Sequence, residues 1–398
     1  MGRARRGAIA AVAGAALLVV SLGPSAAAAT TADGDPVVTV VAATPADTQA
    51  QAAALVSAMD VRQKAATVVM GHIPTTDPTA LKDYLQRTGI GGFILMGANI
   101  PGSEGALHDL TTAMTIDPAL PPLIAVDQEG GDVSRLPWDD FPSSVTLKTQ
   151  PADASAEAFA GRGALVQRAG IGVNFGVVAD VTADPSMFIY RRALGTTPDD
   201  SAARVTAAVA GEGGQALTTL KHFPGHGAAG GDSHTMIPTT GLSKADWEAT
   251  DARPFAAGIK AGAELLMFGH LAYTAVDAAP ASLSAEWHRI ARDELGFQGV
   301  AVTDDLGMLE ASGDPQYRDP VANAVAALAA GNDLLLTIMF SNADTAPRIV
   351  DGIVAAVGSG AVPAARLDDA ATRVTALRLK LAAEGRGLDP CGDCTPAG

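Results

Sequence analysis

The sequence predicts an α/β fold: a (β/α)8 barrel of the TIM type forming a single catalytic domain. Three observations point to it. Eight apolar runs of strand length recur along the chain, and a helical pattern follows each one. The runs are continuous rather than alternating, as expected of parallel strands covered on both faces. An open doubly wound sheet should show a glycine fingerprint after its first strand, and only Gly71-His72 follows Met70. A count of eight then favours a closed barrel.

The strand-like runs are Thr67–Met70, Gly92–Met96, Pro122–Val126, Val173–Val178, Leu217–Leu220, Leu265–Phe268, Val300–Thr303 and Asp333–Thr337. Helical patterns cover Ala52–Met59, Ala154–Arg168, Ser201–Gly211, Lys244–Ala261 and Pro320–Ala330. Asp60 with Gln63 three residues later gives a capping-box start for a further helix. Two last helices, Thr345–Val357 and Leu367–Ala383, close a domain of residues 52–385. Only a short polar tail, 386–398, follows it.

The ends of the chain carry other signals. Arg3, Arg5 and Arg6 precede an apolar run from Ala8 to Leu22 and a small-residue stretch ending at Ala29. This is the layout of a cleaved signal peptide, 1–29, because the run is short for a bilayer span of about 20 residues. Residues 30–51 are rich in Ala, Thr, Asp and Pro and read as a disordered leader. The expectation is a secreted or cell-wall-associated protein with no stable membrane span after processing. Cys391 and Cys394 are the sole cysteines. Two thiols make no complete zinc site, and in an exported chain they read as a local disulfide. The net charge of −16 and the lack of a basic run beyond the N-terminus argue against nucleic acid. A monomer is expected.

In barrel enzymes the site is built from the carboxyl ends of strands. Five such ends carry ionisable groups here. They are Asp127-Gln128-Glu129 with Arg135, Asp180 with Tyr190-Arg191-Arg192, Lys221-His222, Gly269-His270, and Asp304-Asp305. Asp305 suits a helix cap, which leaves Asp304 as the nucleophile candidate. After Lys221-His222 comes a glycine-rich loop holding His226, Asp232 and His234. Asp232 and His234, two apart, would share a side in an extended loop. A carboxylate beside an imidazole orients it and favours its protonated form, as a general acid requires. Lys221 and His222 would supply donors to sugar hydroxyls or an amide carbonyl. His222 and His226 also invite a zinc reading, but Pro224, Gly225 and Gly227 argue against the helix that such spacing needs.

At these residues the chain resembles the family 3 glycoside hydrolases, and among them the bacterial β-N-acetylglucosaminidases of cell-wall recycling. The resemblance lies in Lys221-His222-Phe223-Pro224-Gly225-His226-Gly227, Asp232-Ser233-His234 with Pro238, Ala125–Gly131, Val173-Asn174-Phe175 and Thr303–Leu306. It implies a retaining exo-β-N-acetylglucosaminidase without cofactor or metal, acting on GlcNAc-containing glycans from peptidoglycan or chitin. Asp304 would be the nucleophile, and His234, paired with Asp232, the acid/base. Asp127, Arg135, Arg192, Lys221, His222 and His270 would hold the non-reducing-end sugar. Two departures bear on substrate preference. Asp132 stands where the family commonly has a basic residue, and Arg191-Arg192-Ala193-Leu194-Gly195 replaces Arg-Ser-Phe-Gly. Arg192 is aligned with that arginine, with Arg191 the alternative. A phosphorylase or β-glucosidase on the same site is the nearest rival, and a non-catalytic wall-binding protein is a rival of another class.

Overall fold

The computed structural model describes residues 28–30, 36–38 and 45–385. The tail cysteines and nearly all of the expected signal peptide lie outside them. Ala28–Thr30, where the expected signal peptide meets the expected leader, pairs antiparallel with Pro36–Val38 of the leader. The first helix, Pro45–Ala58, starts earlier than the apolar pattern from Ala52 suggested. Among the described residues no helix is long and apolar enough to cross a membrane.

Eight parallel strands form the barrel: β1 Val69–Gly71, β2 Gly92–Leu95, β3 Leu123–Val126, β4 Val173–Val178, β5 Leu217–Phe223, β6 Leu265–Phe268, β7 Val300–Thr303 and β8 Leu335–Leu336. They pair in chain order, and β8 returns to β1 through Leu335↔Val69 and Leu336↔Met70. One parallel bridge, Val302↔Leu334, completes the ring. Beside it the Thr303 hydroxyl accepts from Leu336 N at 3.0 Å, so a side chain takes the place of a ladder carbonyl at the shortest strand.

The helices behind the strands are α1 Pro78–Thr88, α2 Glu104–Met114, α3 Asp153–Arg168, α4 Pro198–Glu212, α5 Ala252–Ala261, α6 Ala285–Arg289, α7 Pro320–Ala330, α8 Thr345–Ser359 and α9 Ala364–Glu384. Their starts follow local chemistry. α1, α4 and α7 each begin with a capping Asp77, Thr197 or Asp319 directly before a proline. Such a proline loses no helical bond, because its N–H would have had no partner there. The expected helix Lys244–Ala261 divides at Thr250 (φ −122°, ψ −90°) into Lys244–Ala249 and α5. The Thr250 hydroxyl donates to Asp246 O and Asp251 Oδ2, offering the chain an alternative to continued helix.

Three apolar clusters hold the layers together. The barrel interior packs Met70, Ile94, Ala125, Phe175, Met267 and Val302, among others, with Val374, Leu377 and Leu381 of α9. Two larger clusters fill the space between barrel and helices. One of these contains a group of rings around Phe223, which meets Trp247, Phe255, Phe268 and Trp287 edge-on. Edge-to-face contact of this kind adds about 0.5–1.5 kcal/mol per pair beyond simple burial. These rings matter to function because Phe223 belongs to the segment that carries Lys221 and His222.

Candidate active site

The strand order fixes what can meet. All eight strands run the same way, so the residues after β3, β4, β6 and β7 and those late in β5 crowd one rim. Lys221 and His222 were expected where a strand stops. Instead β5 continues through them, with Lys221 paired to Val178 of β4 and Phe223 to Phe268 of β6. Both side chains therefore project from the sheet itself. Cis peptide bonds occur at Lys221–His222 and Phe223–Pro224. Trp247 Nε1 donates to Pro224 O at 2.8 Å and Tyr273 to Gly225 O at 2.6 Å, so aromatic donors tie down the chain as it leaves β5. Gly227 passes so close to Val181 O that a Cβ there would lie 1.7 Å from it.

Lys221 is the hub of a buried ion grid. Its Nζ lies 2.8 Å from Asp127 Oδ1 and 2.7 Å from Glu129 Oε1. Arg192 grips the same Glu129 with two hydrogen bonds of 2.9 and 2.7 Å, and Arg135 reaches Asp127 at 3.5 Å. Burial alone would raise the Glu129 pKa, but Arg192 and Lys221 outweigh it and hold the carboxyl at about 2. Asp127 is likewise lowered, burial being overcome by Lys221 and Arg135. Burial disfavours the Lys221 ammonium, yet Asp127 and Glu129 raise its pKa overall. Asp127, Glu129 and Lys221 are thus ionised at neutral pH. Arg192 joins the grid, whereas Arg191 forms an exposed pair with Asp132.

His222 is held on both sides. Its Nδ1 lies 2.8 Å from Asp180 Oδ2, and its Nε2 lies 3.1 Å from Arg192 Nη2. A guanidinium needs a lone pair opposite it, so the proton sits on Nδ1, toward Asp180. Asp180 also accepts from the backbone N–H groups of His222 and His226. It is the fixed anion under the loop.

At the end of β7, Asp304 Oδ1 accepts from Asp305 N at 2.8 Å. Burial raises the Asp304 pKa, but the His222 and His270 imidazoles, the Asp305 N–H and Lys221 bring it below its ordinary value. Asp305 was expected to cap the helix after β7, but that helix, Gly307–Ala311, has Leu306 at its N-cap, and Asp305 stands one residue before it as a brace. It accepts from Gly307 N, Ile338 N and Met339 N at 3.0, 2.8 and 2.8 Å, tying the turn after β7 to the one after β8.

The histidine loop reaches the same place. His234 Nδ1 lies 2.7 Å from Asp232 Oδ1, and His234 N donates to that oxygen at 3.0 Å. The segment is not extended. Thr235 N and Met236 N both donate to Asp232 O, making a turn, so the pair meets through an Asx-type turn rather than alternation along a strand. Burial would raise the Asp232 pKa, yet its bonds to His234 lower it. Both side chains remain about half exposed, at 50% and 42%. The buried Ser233 between them lies 3.1 Å from His226 Nε2, and the Phe188 ring packs against both His226 and His234.

Asp127, Arg135, Arg192, Lys221, His222, His234 and Asp304 line one cleft, with Met96, Met308, Ile338 and Met339 as its apolar wall. Asp232 stands behind His234 rather than in the lining. The expectation that His270 contacts the sugar needs correction. His270 is buried and does not line the cleft. Its Nδ1 lies 2.7 Å from Ser282 Oγ and its Nε2 2.8 Å from Asp305 O, so both ring nitrogens are occupied, one by the segment after β6 and one by the β7 turn. Sequence reasoning gave no role to Glu129, Asp180 or Phe188. Glu129 and Asp180 stood among the ionisable residues at strand ends, but nothing local tells a charge that pairs across the barrel from one that meets ligand. Phe188 left no signal.

An ionised carboxylate and a carboxylate-held imidazole share this cleft with fixed donors and acceptors suited to hydroxyl groups. The fold and the cleft together define a glycoside hydrolase. The chain belongs to glycosyl hydrolase family 3: residues 59–377 match the family's N-terminal domain. A β-hexosaminidase of Stenotrophomonas maltophilia (strain R551-3) is 35% identical over 285 residues, 68% of this chain and 83% of its own. A family 3 β-N-acetylglucosaminidase from Paenibacillus sp. superposes with a TM-score of 0.75 at 30% identity, over 81% of this chain and 63% of that longer one. A β-N-acetylhexosaminidase from Beutenbergia cavernae gives a TM-score of 0.70 at 28% identity, over 82% and 99%.

Proposed function

We propose that the protein is a retaining exo-β-N-acetylglucosaminidase acting on GlcNAc-containing glycans of peptidoglycan or chitin type. The observation that carries this reading is the shared cleft of Asp304 and His234 beside the Lys221 grid. The names of the relatives support the sugar. The N-terminal sequence layout supports action outside the cytoplasm.

The terminal sugar sits on the grid, its hydroxyls taking up Asp127, Arg135, Arg192 and Lys221. Asp304 Oδ1 is held by Asp305 N, which leaves Oδ2 to attack the anomeric carbon. Asp232 occupies His234 Nδ1, which leaves Nε2 to give its proton to the glycosidic oxygen. The C1–O bond breaks and a glycosyl ester on Asp304 forms. Water then attacks C1, His234 takes its proton, and Asp304 is released. Because the acid is an imidazole that turns neutral in the first step, it repels an incoming anion less than a carboxylate would. Phosphate in place of water is therefore the rival acceptor.

The test is hydrolysis of aryl β-glycosides that differ at the 2-position, with and without phosphate. Preference for the 2-acetamido sugar and a free sugar product are expected. A sugar 1-phosphate, or preference for the glucoside, would overturn the reading.

A further inference from the structure

After β3, the short strand Gln128–Gly130 pairs antiparallel with Val133–Ser134. Successive side chains of a strand point to opposite faces. Asp127 and Glu129 both go to Lys221, so Gln128 between them goes the other way, and it is fully buried. It lines no part of the cleft. Yet its carboxamide is bonded at both ends. Oε1 accepts from Arg135 N at 3.0 Å and from Leu136 N at 2.9 Å. Nε2 donates to Ser134 Oγ at 2.5 Å and to Asp139 Oδ2 at 2.7 Å. That same Asp139 oxygen accepts from Arg162 Nε of α3 at 2.8 Å, and the Arg162 and Asp139 side chains are 0% and 1% exposed. Arg162 passes beneath Gly130, where the backbone stands at φ 83° and a Cβ would lie 2.0 Å from Nη2. The chain Arg162–Asp139–Gln128 thus leads from α3 to the backbone of Arg135, whose side chain lines the cleft and reaches Asp127. A buried ion pair adds little stability over apolar side chains of the same volume. What this one adds is direction, since each bond joins a fixed donor to a fixed acceptor.

We propose that Gln128 is a positioning residue for sugar binding. Held by Asp139 and Arg162, it sets the backbone at Arg135 so that the guanidinium meets the sugar. The inference rests on the glycosidase reading of the cleft. Gln128 governs affinity rather than the chemical step, because Asp304 follows β7 and His234 belongs to the loop after β5, and Gln128 has no hydrogen bond to either segment.

The experiment is a double-mutant cycle on the full chain with an aryl β-GlcNAc. Gln128→Met keeps the volume and removes the bonds. It should raise KM about tenfold, the worth of a hydrogen bond to a charged group, with kcat within about twofold of wild type. Competitive inhibition by free N-acetylglucosamine should weaken to the same extent. In an Arg135→Ala background the same substitution should change KM less than about twofold, because residues that act through one another are not additive. Gln128→Glu sets two carboxylates face to face and should also raise KM. Adding Asp139→Asn to it restores a donor opposite the acceptor and should recover most of that loss. Unchanged KM in folded Gln128→Met, a fall in kcat with KM intact, or full additivity with Arg135→Ala would overturn the proposal. Should Gln128→Met not fold, the Gln128→Glu arm decides, and no recovery on adding Asp139→Asn refutes it. Wild-type protein that fails to cleave the aryl substrate would instead count against the glycosidase reading.

Discussion

Arg192 clasps Glu129 through two hydrogen bonds of 2.9 and 2.7 Å, and Lys221 completes the contact from β5 at 2.7 Å. The Glu129 and Lys221 side chains are all but fully buried, at 1% and 3% exposure, and that of Arg192 is 12% exposed. Removing one partner from such a pair strands a buried charge and costs about 3–5 kcal/mol. Glu129→Ala should therefore destabilise the fold by that order, measured by urea denaturation. A loss under about 1 kcal/mol would show that water or Asp127 replaces Glu129.

Asp304→Ala should reduce kcat on an aryl β-GlcNAc by roughly 10⁴-fold or more, as loss of a nucleophile does elsewhere. The fold should be intact, since Asp304 makes one side-chain hydrogen bond, to its neighbour's N–H. A rate near wild type would remove Asp304 from the chemistry.

His234→Ala should split substrates by leaving group. With a poor leaving group, loss of the proton donor costs about 10²–10⁴-fold. With a dinitrophenyl leaving group, which departs unprotonated, formation of the glycosyl ester should be nearly unaffected in a single turnover. Asp232→Asn should also weaken the acid, with a changed pH profile. Equal losses on both substrates would refute the acid role.

Ser233 links the loop to the scaffold through its 3.1 Å contact with His226 Nε2. Ser233→Ala should lower kcat on the poor leaving group more than it changes KM, because it loosens the arm without touching the grid. Stability measured by thermal melting should fall only slightly, about 1 kcal/mol for a hydrogen bond of this kind. An unchanged kcat would place the anchor elsewhere.

Glu212 gives a pH test away from the cleft. Its Oε1 accepts from Asn174 at 2.5 Å, and the carboxyl is fully buried. Burial pushes its pKa up to about 8, from an ordinary 4.5. Between those values the folded state holds a proton that the unfolded chain has lost, so stability falls as pH rises from about 4.5 to about 8. Glu212→Gln keeps the bond from Asn174 and removes the titration. It should flatten that part of the stability–pH curve and exceed the wild type above pH 8 in chemical denaturation. A wild-type slope in the variant would assign the dependence to other groups.

Much of this molecule was legible from local signals. Each of the eight apolar runs overlaps a strand, because continuous apolar segments between helical patterns have few other uses. The cap at Asp60 was readable because capping depends on neighbours a few residues away. The motif around Lys221 and the pair Asp232/His234 pointed to the cleft, since few structural roles collect so many ionisable groups between glycines. What stayed hidden was orientation. That β5 runs on through Phe223, that Asp232 meets His234 in a turn, and that His270 faces the β7 turn instead of the cleft all depend on what packs alongside.

The sequence by itself determined the element types, the barrel and the family, because hydrophobic period, caps and a contiguous motif are properties of short stretches. Only the tertiary structure decided which charges serve each other and which face a ligand. Glu129 and Arg192 are 63 positions apart, and Lys221 and Asp127 are 94 apart. Closure of the parallel ring brings these pairs to one rim, and burial there makes them pair with each other.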